Sequence, residues 1–137
     1  MATTLTMAGA QFYALPYEEG RKWELVDGEL VKVPSPTHRH QLIVGTIYAG
    51  LWEYLQTSLI GAALPDVEFA LSDSDRVRPD VCVLLHERWT NLDQHRIPVP
   101  VAPDIAIEVI SPSERTADST RARAWRRSGR FTHNQTL

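Results

Sequence analysis

The chain has 137 residues, of which 43% are hydrophobic, and its formal net charge is −3. This size suits one domain with one core, and no stretch approaches the roughly 18 consecutive apolar residues that a membrane span needs. The single cysteine, Cys82, excludes an internal disulfide, and the N-terminus lacks the pattern of a signal peptide. We therefore expect one soluble, cytoplasmic domain without a membrane partner.

Charge is unevenly distributed along the chain. Residues 1–114 contain 8 Lys and Arg against 16 Asp and Glu, whereas residues 115–137 contain 6 Arg and one acid, Asp118. The Arg-rich end could face phosphate, or it could be a solvated helix face or a disordered tail. Charge alone favours the solvated face or the tail.

The N-terminal half predicts a short helix, a hairpin and a long helix. Residues 5–15 predict the short helix, and residues 23–33 predict two strands around Asp27-Gly28, a favoured two-residue turn. After Ser35-Pro36, an amphipathic helix is predicted from Thr37 to about Thr57 and must lie against a sheet. Its apolar side chains recur every four residues: Ile43, Ile47, Leu51 and Leu55.

The C-terminal half predicts three strands and a final helix. The strands are predicted at residues 62–71, 80–85 and 104–110, joined by irregular connections at 73–78 and 86–101. The final helix should start at Ser113 or Glu114. Beyond about residue 129 the sequence lacks the apolar alternation of strands, which predicts a disordered tail at 130–137.

Two apolar runs place acidic residues in the predicted sheet. Val81–Leu85 and Ile105–Ile110 are continuously apolar, as in central strands covered on both faces. Glu108 lies inside the second run, where an unpaired carboxylate costs several kcal/mol, and Asp80 precedes the first. Two such carboxylates on neighbouring strands could hold Mg²⁺ for phosphoryl transfer or hydrolysis. Alternatively, Glu108 pairs with an arginine and Asp80 caps a turn.

Four motifs in order carry a family resemblance. They are Trp23-Glu-Leu-Val-Asp-Gly-Glu-Leu-Val31, Pro34-Ser-Pro-Thr-His38, Arg78-Pro-Asp-Val81 and Ile107-Glu-Val-Ile-Ser-Pro-Ser113. Over roughly residues 5–125 the chain resembles the Uma-type family of restriction endonucleases, within the PD-(D/E)XK nuclease superfamily. The resemblance implies an α/β (α+β) fold with a mixed central sheet flanked by helices.

The resemblance also implies a function and a set of site residues. The implied reaction is hydrolysis of DNA phosphodiester bonds, dependent on Mg²⁺ or on Mn²⁺ as a substitute, without an organic cofactor. Asp80 and Glu108 would be metal ligands, Glu24 would complete the acidic cluster, and His38 would lie near the site. Glu24 could instead point outward from the hairpin, and His38 could simply belong to the first helical turn. Asp66 and Glu68 are weaker candidates on another predicted strand.

The sequence departs from the superfamily pattern in two places. Ile110 stands where the superfamily has lysine, and the following helix offers Arg121-Ala-Arg123 without a lysine. Arg121 is therefore expected to contact phosphate, but arginine stays protonated and is a poor activator of water. The second departure is the C-terminus, where the strands expected of the family look missing, so that residues 1–129 would form an incomplete domain.

These departures leave three interpretations open. The first is an active endonuclease, which like many superfamily members could be a homodimer. The second is an inactive nuclease-fold remnant that binds metal or DNA without cutting. The third is a non-enzymatic structural or protein-interaction domain, which would explain the apolar strands but not the ordered acidic motifs.

Overall fold

The computed structural model describes residues 6–16, 22–112, 115–128 and 131–136, the last six and residues 115–119 by their backbone alone. Among the described helices, none is long and apolar enough to cross a membrane. In chain order the elements are α1 (Gly9–Tyr13), β1 (Lys22–Val26), β2 (Glu29–Val33), α2 (His38–Ser58), β3 (Gly61–Pro65), β4 (Phe69–Ser72), β5 (Asp75–Val77), β6 (Val81–Leu85), α3 (His86–Thr90), β7 (Ile105–Ile110), α4 (Arg115–Arg127) and β8 (Phe131–Thr136).

The first sheet is antiparallel and has the strand order β2-β1-β5-β4. The predicted hairpin is confirmed, because β1 and β2 pair around Asp27 and Gly28, whose φ angles are +53° and +78°. Positive φ at both central residues is what a type I′ turn requires, and glycine adopts it without strain. Buried Asp75 supports the turn by accepting the Asp27 N–H at 2.7 Å.

The second sheet contains the two strands that carry the acidic motifs. Its order is β3-β6-β7-β8, with antiparallel pairs except for the parallel pair of β7 and β8. The prediction that the two continuously apolar strands lie in the middle of a sheet is confirmed. Cys82, on β6, is buried and free, as expected. The strands thus form two four-stranded sheets, whereas the sequence predicted one central sheet.

The long helix is confirmed almost to the residue. It begins after Thr37, whose side-chain oxygen accepts the N–H of His40 at 3.2 Å, and it ends before Leu59, which has a φ of +55°. Its inner side chains pack on the second sheet through a small cluster that includes Leu55, Ala63 and Val83. This packing gives the predicted contact of helix with sheet.

One predicted strand and two predicted connections in the middle of the chain are corrected. Residues 62–71 do not form one strand, because β3 ends at Pro65 and β4 begins at Phe69, in the other sheet. Asp66, with φ of +51°, lies at this break and redirects the chain. The predicted connection at 73–78 contains β5, whose Asp75 is buried and accepts a hydrogen bond from the Asp27 N–H of the turn. The connection at 86–101 contains the short helix α3.

The C-terminal part also differs from the prediction. The predicted final helix is confirmed as α4, although the expected start at Ser113 or Glu114 lies outside the described residues, as does residue 5, where the first helix was expected to begin. Residues 131–136 form β8, paired in parallel along β7, where we expected a disordered tail and no strand. Backbone hydrogen bonds to the edge of β7 need no apolar alternation, which is why this strand leaves no pattern in the sequence.

Candidate active site

Asp80 and Glu108 meet across two central strands. Asp80 directly precedes β6, and the antiparallel register pairs Val81 with Ile107, so that Asp80 lies opposite Glu108. The Val109 N–H donates a hydrogen bond of 2.7 Å to Asp80 Oδ2. The two carboxylates that the sequence singled out are therefore neighbours, one at the end of a strand and one within a strand.

His40, which the sequence analysis overlooked, lies beside Asp80. Its Nε2 is 2.9 Å from the Val109 carbonyl oxygen and 3.4 Å from Asp80 Oδ2. His38, the predicted histidine, is exposed instead. Two residues along a helix correspond to a rotation of about 200°, which places the two histidines on opposite faces. The spacing could have identified His40, because it lies three and seven residues before the inward-facing Ile43 and Ile47.

Glu24 points inward and binds Arg121. Arg121 Nε donates to Glu24 Oε2 at 2.6 Å, and Nη2 donates to Oε1 at 3.1 Å. The Arg78 N–H also donates to Glu24 Oε1 at 3.0 Å. Both side chains of the pair are about 95% buried. The alternative of an outward hairpin residue is thus excluded for Glu24.

Arg121 and Trp125, one helical turn apart on α4, both contact Glu108. Arg121 Nη2 lies 3.0 Å from Glu108 Oε2, and the indole N–H of Trp125 donates to Oε1 at 3.1 Å. Trp125 is fully buried, with its ring edge-on to Phe69. Arg121 therefore lies between the two buried glutamates, Glu24 on β1 and Glu108 on β7, and these contacts anchor α4 to both sheets.

Among the described residues, Arg121 is in contact with both buried glutamates. Burial raises the pKa of Glu108 to about 8, with Arg121 opposing the rise and Glu24 and Asp80 adding to it. Burial also raises the pKa of Glu24, against the effect of Arg121. One arginine cannot neutralise two carboxylates. Since Glu24 has the bidentate contact, Glu108 is the carboxyl that holds a proton most readily.

A pocket of about 600 Å³ opens beside Asp80. Its walls carry both charge signs, and the side chains that matter here are Lys22, Glu24, His40, Arg78, Asp80 and Arg121. Glu108 is not part of this wall and lies behind it. The weaker candidates form ion pairs with basic residues of the pocket wall: Asp66 binds Lys22 at 3.1 Å, and Glu68 is 3.9 Å from Arg78. Both lie in the connection between β3 and β4.

Comparison with known proteins identifies the family. The model of the Uma2 family, described as "putative restriction endonuclease", matches residues 10–130. The chain belongs to the Uma2 family. No curated protein matches the chain.

A solved structure confirms the fold of this Uma2-family chain. It is a crystal structure of a protein from Anabaena variabilis described as a "putative nuclease belonging to DUF820". The TM-score is 0.72 at 19% sequence identity, over 96% of this chain and 73% of the other. The restriction-endonuclease-like fold expected from the four motifs is therefore confirmed.

The expected Mg²⁺ can be tested against the oxygen atoms of the site. Mg²⁺ commonly takes one or two protein carboxylates and completes its shell with waters and substrate phosphate oxygens. Asp80 and Glu108 supply two carboxylates, and Glu108 Oε2 is a buried oxygen without an aligned hydrogen bond. Within the described ranges, no three His, Cys, Asp or Glu side chains are arranged to hold a metal. Asp80 and Glu108 match the kind and number of protein ligands that Mg²⁺ takes. Binding to both requires that Arg121 moves away from Glu108.

Proposed function

We propose that this Uma2-family protein hydrolyses phosphodiester bonds in DNA and that Asp80 and Glu108 hold the Mg²⁺, or Mn²⁺, on which the reaction depends. The observation that carries the proposal is the opposition of these two carboxylates on β6 and β7, beside the pocket. The restriction-endonuclease description of the family supports DNA as the substrate.

Bound Mg²⁺ would supply a Lewis acid that lowers the pKa of an attacking water and neutralises charge on the phosphate. The surrounding residues fix the ligands. Val109 holds Asp80 through its N–H, and His40 lies within hydrogen-bond distance of the carbonyl of the same residue. Trp125 orients Glu108 through one carboxylate oxygen. Such positioned ligands need little rearrangement when a substrate binds.

The substrate phosphate would enter through the pocket. Lys22 and Arg78 line its wall and carry the positive charge that attracts a phosphodiester. Both now interact with Asp66 at the rim, at 3.1 Å and 3.9 Å. These exposed pairs are weak in water, so a phosphate can exchange with Asp66. Arg121 is less suited to the phosphate contact expected from its sequence position, because protein acceptors already surround its guanidinium.

A specific observation favours a second candidate, in which the protein binds metal or DNA without cutting. Only two lysines occur in the chain, Lys22 and Lys32, and neither lies on α4. Among the described side chains of α4, the charged residue that contacts Glu24 and Glu108 is Arg121. An arginine keeps its proton and cannot relay one to or from water. Hydrolysis then needs another group to accept the proton of the attacking water.

A plasmid nicking assay separates the two candidates. Supercoiled DNA is incubated with Mg²⁺ or Mn²⁺ and with native protein, Asp80→Asn or the control Asp73→Asn, an exposed turn residue. The proposal predicts nicking by native protein and the control, and a loss of about 100-fold or more in Asp80→Asn, the size typical of a lost electrostatic contact to the reacting group. Absence of nicking by folded native protein contradicts hydrolysis and leaves the second candidate.

A further inference from the structure

We infer that Arg121 competes with the divalent cation for Glu108, so that this one guanidinium sets the metal affinity of the site. The inference rests on the proposed function, because it takes Asp80 and Glu108 as the metal ligands. It assigns Arg121 a role opposite to that of an ordinary supporting residue: its removal should strengthen metal binding.

The contacts of Arg121 are unequal. Its Nη2 carries two N–H groups, and these serve Glu24 Oε1 at 3.1 Å and the Arg78 carbonyl at 2.8 Å. Glu108 Oε2 is as near, at 3.0 Å, yet it receives no aligned hydrogen bond. Arg121 is therefore held to Glu24 by aligned hydrogen bonds, whereas no aligned hydrogen bond joins it to Glu108 Oε2. Glu108 is the partner that it can release while it stays on Glu24.

Charge repulsion explains why the Arg121 guanidinium and a divalent ion compete for Glu108. A guanidinium stays protonated at every practical pH, and it lies about 3 Å from an oxygen that a metal ligand must offer. Two positive charges a few Å apart in a buried site repel strongly. A divalent ion on Glu108 must therefore displace Arg121 from this oxygen or bind with reduced affinity.

Glu108 would stay in position after Arg121 leaves it. Trp125 holds the other oxygen, Oε1, and is itself fixed in the core. Glu24 would keep Arg121 as a partner in the native protein. The release of Glu108 thus requires a small shift of one side chain and leaves α4 in place.

The test is the affinity for Mn²⁺, measured without DNA by calorimetry or by the electron paramagnetic resonance of free Mn²⁺. Native protein is compared with Arg121→Met and with Arg123→Met, an exposed arginine on the same helix that controls for net charge. We expect Arg121→Met to bind Mn²⁺ about tenfold more tightly or better, and Arg123→Met to stay within about twofold of native protein.

Because Arg121→Met leaves two buried carboxylates without their cation, a charge-balanced variant is included. Glu24→Gln with Arg121→Met removes the whole buried pair and leaves Glu108 free of the guanidinium. The same gain of about tenfold is expected. Asp80→Asn in either background should lose the binding, which ties the measured ion to this site.

The outcomes separate this inference from the proposed function. Mn²⁺ binding by native protein that is unchanged or weaker in both Arg121 variants overturns the competition and leaves the metal site standing. Absence of Mn²⁺ binding in every variant overturns both. Binding that emerges only when Arg121 is removed supports the competition and shows that the native protein does not bind the ion.

Discussion

The carboxylates on the pocket side of the site and those on its buried side are stabilised by different contacts. On the pocket side, Asp80 takes a backbone N–H and lies beside His40, and its side chain is 20% exposed. On the buried side, Glu24 and Glu108 depend on Arg121 and Trp125. Water can compensate a change on the pocket side, whereas a change on the buried side leaves a charge without a partner. The first side is open to substrate, whereas the second strongly affects stability and also carries Glu108, the second proposed metal ligand.

The largest expected effect on folding comes from Arg121→Ala. Loss of the guanidinium leaves Glu24 and Glu108 buried without a cation, which should lower the free energy of unfolding by about 3–5 kcal/mol. Asp80→Asn, on the pocket side, should cost about 1 kcal/mol or less because its site remains partly hydrated. Urea denaturation measures both. A smaller loss in Arg121→Ala than in Asp80→Asn would contradict the division of the site into two sides.

The next effect concerns pH. Burial raises the pKa of Glu108 from 4.5 to about 8, so the folded state binds this proton more tightly than the unfolded chain does. Its contribution to stability is fully present below about pH 4.5 and is lost as the pH rises to about 8. Between these values native protein should lose up to roughly 5 kcal/mol relative to Glu108→Gln. Equal pH profiles of unfolding for the two proteins would show that Glu108 is ionised throughout.

A smaller effect is expected for Trp125→Phe. The substitution keeps an aromatic ring in the core but removes the indole N–H that Glu108 Oε1 accepts, at a cost of about 1–3 kcal/mol. The matched control is Trp52→Phe on α2, where the side chain is 49% exposed and the cost should stay below about 0.5 kcal/mol. Thermal unfolding compares the two variants, and equal losses would mean that the Glu108 contact contributes nothing.

The smallest effect on stability distinguishes the two histidines. His40→Ala removes the contact to the Val109 carbonyl oxygen and should cost about 1 kcal/mol, together with a loss of Mn²⁺ affinity as Asp80 becomes less well positioned. His38→Ala, at the exposed position two residues earlier, should change neither by a measurable amount. If His38→Ala is the variant that weakens binding, the assignment of His40 is wrong.

The strands and the acidic pair were predictable because they depend on local pattern. Continuous apolar runs identified β6 and β7 as central strands, and a glutamate inside one of them was conspicuous. The break at Asp66 and the strand at Asp75 were not predictable, because they depend on backbone turns and on a buried carboxylate that contacts residues about 48 positions away. Likewise, β8 depends on the edge of β7 and on no apolar pattern of its own.

The partners of the site residues were the harder part. Sequence placed Glu24 near the site but could not show that Arg121, 97 residues later, would bind it bidentately. The sequence left Glu108 with either an arginine partner or a metal ion, and the structure shows the arginine partner. No sequence motif pointed to Trp125, because its contact with Glu108 depends on the packing of α4 against β7. Such contacts join distant segments and emerge only when the chain is folded.

The most direct test of the central claim is anomalous diffraction from crystals of the native protein soaked in Mn²⁺. The account predicts one anomalous peak, within about 2.5 Å of carboxylate oxygens of both Asp80 and Glu108, with Arg121 shifted away from Glu108. A well-ordered site without a peak, and with Arg121 still 3.0 Å from Glu108 Oε2, would contradict it.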